Sequence, residues 1–187
     1  MCSDLIARIR SSEDAVSAAA WQSAEVCGPA AVGPLADLLN DPDGEIARRG
    51  KRALYRIVRH AGRPGARGEA KAVERELIVA LKRSGAGSRR ELLWMLSEIG
   101  GSSAVGPIAA LLSDAEARED ARCALTRIPG RKATAALKAA LKQAPANFRP
   151  ALAESLRQRG QNVEGYPSQK LVPVAQTTVR PLPPRQD

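Results

Sequence analysis

Apolar residues recur at helical spacing along most of the chain. In residues 88–101, SRRELLWMLSEIGG, Leu92, Met95, Leu96 and Ile99 form one stripe, and Trp94 points roughly opposite to it. The largest apolar side chain of that helix therefore sits on its polar face. Residues 46–60 predict a second amphipathic helix. Arg48, Arg52, Tyr55 and Arg59 share one face, opposite Ile46, Gly50, Ala53, Leu54 and Ile57, and no acid follows Glu45 within it.

The pattern also repeats. AVGPLADLLNDPDGEIARRGKRALYRI (31–57) and AVGPIAALLSDAEAREDARCALTRI (104–128) share AVGP, a following apolar pair, an acidic turn and an AL-x-x-I ending. Aligned on those anchors, residues 16–28, 88–101 and 148–160 take the second-helix position, each ending at a glycine, and residues 4–10, 72–81 and 133–143 are their first helices. The expectation is an all-α chain of about five helical hairpins, each of roughly 30 to 38 residues. Ser88-x-x-Glu91 reads as a capping box, Pro34 and Pro107 suit first helical turns, and Gly28, Gly100 and Gly130 suit C-terminal stops. Residues 60–70, HAGRPGARGEA, form the longest and most glycine-rich connector, expected to be mobile and to add cations. From about residue 161 to 187 prolines, glutamines and threonines replace helical periodicity, so 1–160 reads as the repeat domain and 161–187 as an extended or disordered tail. Its RPLPPR suits polyproline II and has no specific partner assigned.

These hairpins resemble the HEAT-repeat family, in particular the short bacterial HEAT-like repeats also found in phycobilin lyases. The resemblance covers residues 3 to 160 and implies a right-handed α-solenoid with second helices lining its concave side. The family's arginine opening the second helix is met by Arg89, Arg118 and Arg149, whereas Ser17 and Ala47 replace it in the first two hairpins. A ladder of such arginines to turn acids such as Asp41 and Asp114 is therefore expected to be incomplete. The fifth hairpin, ending in Arg159, looks like a polar cap. Equivalent second-helix positions form rows across the concave face: Gln22, Arg52, Trp94, Cys123, Glu154; Ala18, Arg48, Arg90, Glu119, Pro150; and Glu25, Tyr55, Ser97, Thr126, Arg157. On this map Trp94 faces a groove flanked by Arg48, Arg52, Arg90 and Tyr55, while Trp21 is assigned to packing or end-capping.

Composition and charge narrow the partners. The 187 residues are 44% hydrophobic but only 3% aromatic, which suits closely packed helices. Lys and Arg number 29 against 20 Asp and Glu, a net charge of +9, and point to an acidic partner. Glu25, Glu119, Asp120 and Glu154 interrupt the basic patch, so a compact acidic protein fits better than a long nucleic-acid track, which wants cations throughout. No apolar run reaches membrane-spanning length, and the charged N-terminus lacks a signal peptide's apolar core, so a cytoplasmic monomer is expected. Cys2, Cys27 and Cys123 are odd in number and lack metal spacing, which predicts reduced, structural thiols and no metal site.

No catalytic constellation or cofactor motif is legible, and the expected function is a non-enzymatic adaptor whose binding residues are Arg48, Arg52, Tyr55, Arg59, Arg90 and Trp94. Two alternatives come from resemblance alone, the first a HEAT-like DNA-binding protein or alkylpurine DNA glycosylase, with nucleic acid as the partner. HEAT-like alkylpurine DNA glycosylases carry aromatics and an acid in a basic groove, which Trp94, Tyr55 and Glu119 imitate without a second groove tryptophan. A bilin-lyase role is implied by the repeat subtype.

Overall fold

The computed structural model describes residues 2–166, and all regular structure among them is helical. Ten α-helices follow one another: α1 (Leu5–Ile9), α2 (Asp14–Gln22), α3 (Val32–Leu38), α4 (Gly44–Ala61), α5 (Arg67–Arg83), α6 (Ala86–Ile99), α7 (Val105–Ala109), α8 (Arg118–Arg127), α9 (Arg131–Gln143) and α10 (Arg149–Gln158). A 3-10 stretch, Ala24–Ala31, joins α2 to α3 and breaks at Gly28, whose φ of 57° suits a residue without Cβ. Another, Ala110–Ser113, extends α7. None of the described helices is long and apolar enough to cross a membrane.

Helices pack in sequential pairs, α3 on α4, α5 on α6, α7 on α8 and α9 on α10. Across pairs, α2, α4, α6, α8 and α10 touch in series, while α3 meets α5 and α7 meets α9. The buried faces follow the periodicity: α4 buries Gly50, Ala53, Leu54, Ile57 and Val58, and α6 buries Leu92, Met95 and Leu96, with Ile99 half-buried. Close approach of α3 and α4 depends on Gly50, where a Cβ would lie 2.7 Å from Leu38 Cβ.

Helix ends are tied by specific polar groups. Asp43 caps α4 through Oδ1, which accepts from Glu45 N–H at 2.8 Å and Ile46 N–H at 3.4 Å. The buried Glu74 carboxylate of α5 accepts from Gly101 and Ala104 N–H at 2.9 and 3.1 Å, fixing the start of α7. Arg89 and Arg149 each donate to the carbonyl five residues back, that of Ser84 and of Ala144 respectively, joining the start of a second helix to the end of its first. Of the turn acids, Asp114 pairs with Arg89 at 2.7 Å and Asp41 with Arg10, an arginine outside the aligned set. Arg118 lies instead over the Phe148 ring at 4.9 Å.

Three expectations need correction. Ser88 is not a cap: α6 begins at Ala86, so Ser88 lies inside its first turn, buried, and its hydroxyl donates to the Gly85 carbonyl at 3.2 Å. Residues 60–70 are not a long connector: α4 runs to Ala61 and α5 starts at Arg67, so five residues turn between them. The cation there is engaged, because Arg63 pairs with Glu69 at 2.6 Å. The thiols are not all reduced: Cys2, ahead of α1, and Cys27, in the 3-10 stretch after α2, have Cα atoms 5.3 Å apart and form a disulfide, leaving Cys123 free and exposed. Residues 161–166 are without helix, with Val163 packed on the core, and the RPLPPR segment lies outside the described residues.

Candidate ligand groove

The six expected binding residues line two adjacent depressions that share Lys51 and Tyr55 as a common wall. One, of about 320 Å³, is centred on Trp94 and includes Tyr55, Arg90, Leu93, Cys123 and Arg127. The other, of about 400 Å³, includes Trp21, Arg48, Arg52, Arg56 and Arg59. Trp94 does face outward, with 45% of its surface exposed. Its immediate neighbours differ from the expected ones, since Arg48 and Arg52 belong to the second depression.

Alternation on α6 explains the exposure. Leu92, Leu93, Met95 and Leu96 fill the buried side, leaving position 94 turned toward α8. There Arg127, in the last turn of α8, places its guanidinium 4.8 Å from the indole centroid, within cation-π range. Arg127 sits one position away from the expected rows, which is why the alignment missed it. Glu91 and Asp120 also line this depression, so its charge is mixed. Arg90, 72% exposed in its side chain, pairs with Asp120 at 3.3 Å.

The second depression has no carboxylate among its lining residues, and each of its cations has a partner. Arg48 pairs with Glu45 at 2.7 Å and Lys51 with Glu91 at 2.6 Å. Arg56 donates to the Gln22 carbonyl at 2.8 Å and meets Glu25 at 3.3 Å. Arg52 lies over the Trp21 ring at 5.4 Å, and Arg59 over the Tyr55 ring at 5.3 Å. Trp21, expected only to pack or cap, therefore forms part of the groove wall while remaining half-buried against the core. The helical spacing of Lys51 with Arg48 and Tyr55 signalled its place; the reach of Trp21 across to α4 had no signal of its own.

Glu45 is the acid that balances this face. Its hydrogen bond from Arg48, with the charges of Arg48 and Arg49, lowers its pKa below the usual carboxylate value. Tyr55 is pushed up to about 12, first by burial and then by the charge of Glu91, whose Oε2 its hydroxyl meets at 3.4 Å. Glu119, the acid of the glycosylase comparison, is not among the lining residues and pairs with Arg122 at 2.8 Å. The arrangement offers paired guanidinium and ammonium groups, three aromatic surfaces and one exposed thiol.

No family model matches the chain, and no curated protein matches it. Among solved structures, the chain is similar to the crystal structure of an engineered protein determined as a structural-genomics target. That similarity is 18% in identity over 84% of this chain and 76% of the other, with a TM-score of 0.44.

Proposed function

We propose that the chain is a HEAT-like solenoid acting as a non-enzymatic adaptor, with the groove across α2, α4, α6 and α8 binding an acidic partner protein. The serial contact of the second helices supports the solenoid part of this reading. One observation carries the binding part: five cations, Arg48, Lys51, Arg52, Arg56 and Arg59, line one depression without a carboxylate, beside an exposed tryptophan. Cations already paired lose less freedom on binding than free ones, and a partly exposed Trp beside Arg has the composition of a hot spot.

Affinity capture with the full chain tests the proposal, with Trp94→Ala and Arg52→Glu variants in parallel. Acidic proteins retained by the wild type and lost from both variants support it; retention that ignores both substitutions rejects the groove. The glycosylase reading gains Trp21 as a second groove tryptophan, and base excision from alkylated DNA by the purified chain decides it. A bilin co-purifying with the chain, seen by its absorbance, supports the lyase reading instead.

A further inference from the structure

We infer that the two depressions form one bipartite site for an extended peptide segment, with clustered carboxylate side chains seated over α4 and an apolar side chain against Trp94. This rests on the adaptor reading above and specifies what the partner presents.

The division of charge carries the argument. Over α4 no carboxylate enters the lining, the acids that pair with Arg48, Lys51, Arg52 and Arg56 lying outside it, so successive Asp or Glu side chains find guanidinium donors already oriented by Trp21, Tyr55, Glu45 and Glu25. Beyond the shared wall of Lys51 and Tyr55, Glu91 and Asp120 enter the lining together with Arg90 and Arg127, and the half-exposed indole supplies apolar surface over the buried Leu93 and Ala124. An acidic side chain gains less there, because Asp120 and Glu91 already occupy Arg90 and Lys51 within the lining and Arg127 lies over the indole, and an apolar one buries the part of Trp94 that water now covers. A nucleic-acid strand fits this division poorly. Its phosphates recur at every residue and meet Glu91 and Asp120, while Trp21, Tyr55 and Trp94 each already carry a guanidinium over the ring, where a base would stack. A peptide can change chemistry along its length.

The chain's two tryptophans report the two halves separately. In full-length Trp94→Phe the emission comes from Trp21 beneath Arg52, and in Trp21→Phe from Trp94. The probes are oligoglutamate, oligoglutamate followed by a glycine spacer and a leucine pair, and oligothymidylate. Oligoglutamate is expected to change Trp21 emission alone. The leucine-bearing peptide is expected to change both and to bind about tenfold tighter, a gain that Trp94→Ala removes. The inference is overturned if the leucine pair adds no affinity, if Trp94 emission ignores it, or if oligothymidylate binds more tightly than either peptide. Failure of the peptides with groove-dependent protein capture intact rejects only the bipartite site; capture that is independent of the groove rejects the adaptor reading itself.

Discussion

Arg127 lies over the indole of Trp94, its guanidinium carbon 4.8 Å from the ring centroid, so α8 covers part of a side chain that α6 turns outward. An indole held this way is both exposed and fixed in orientation, as a binding anchor requires. Trp94→Ala is expected to weaken the captured complex by about 2 kcal/mol or more at low and high salt alike. Arg52→Glu is expected to act mainly at low salt and on the association rate, because long-range attraction is screened. Association and dissociation rates measured at two ionic strengths check both, and equal salt sensitivity of the two variants contradicts the division of roles.

Gly50 faces Leu38 so closely that an added methyl has no room: besides Leu38 Cβ at 2.7 Å, Leu38 Cδ1 lies at 3.3 Å from the position it would take. Alanine is the better helix former by about 1 kcal/mol. Overpacking costs about 1–3 kcal/mol and is expected to win, so Gly50→Ala lowers the unfolding midpoint. Gly44→Ala, on the same helix with nothing within 4 Å of the new methyl, is the control and is expected to be neutral or mildly stabilising. A Gly50→Ala chain as stable as the wild type places α3 and α4 farther apart than described.

Much of this architecture is legible in the sequence, and its limits have physical causes. The outward Trp94 and the apolar side of α4 follow from a 3.6-residue period, which fixes direction around a helix. Which arginine reaches which ring does not follow, because long side chains cross between helices: Arg127 meets Trp94 from α8, and Arg52 meets Trp21 on α2. Ser88 misled because a helix beginning two residues earlier turns a cap into an interior residue. The Cys2 and Cys27 pair escaped because an odd cysteine count names no partners, and only the fold brings the start of the chain to the 3-10 stretch after α2.

That disulfide closes a span of 25 residues. Loop-closure entropy over such a span amounts to about 3 kcal/mol, so Cys27→Ser or reduction is expected to lower stability by about that much. Thiol titration of the unfolded, unreduced protein is expected to find Cys123 alone. Finding all the cysteines free in protein purified without reductant would falsify the pairing.

Arg159 binds the junction between α8 and α9 from the end of α10. Its Nη1 donates to the carbonyls of Leu125, Thr126 and Ile128 at 3.0, 2.8 and 2.6 Å, its Nη2 to that of Gly130 at 2.7 Å, and its Nε to Thr134 Oγ1 at 3.0 Å. The residue that ends the fifth hairpin thus satisfies helix-end carbonyls. Arg159→Met keeps the length and loses the donors, and is expected to cost about 2–3 kcal/mol in denaturant unfolding. A loss below about half a kcal/mol means that water replaces these bonds without cost, as at an exposed surface.

Tyr55 offers a test of the wall between the two depressions by pH. Burial, with the carboxylates of Glu91 and Glu98, raises its pKa from 10.0 to about 12. The unfolded chain then loses this proton first. Its contribution to stability is whole below about pH 10 and is lost as the pH rises through about 12. In a Tyr166→Phe background Tyr55 is the remaining tyrosine, so phenolate absorbance follows it directly. Glu91→Gln removes a neighbouring negative charge but not the burial, and is expected to bring the midpoint down from about 12 without reaching 10.0. The same substitution releases Lys51, which Glu91 holds at 2.6 Å, so affinity for oligoglutamate is expected to rise as the phenol midpoint falls. A midpoint that does not move on Glu91→Gln means that Glu91 is not seated against Tyr55, and the shared wall loses its acid.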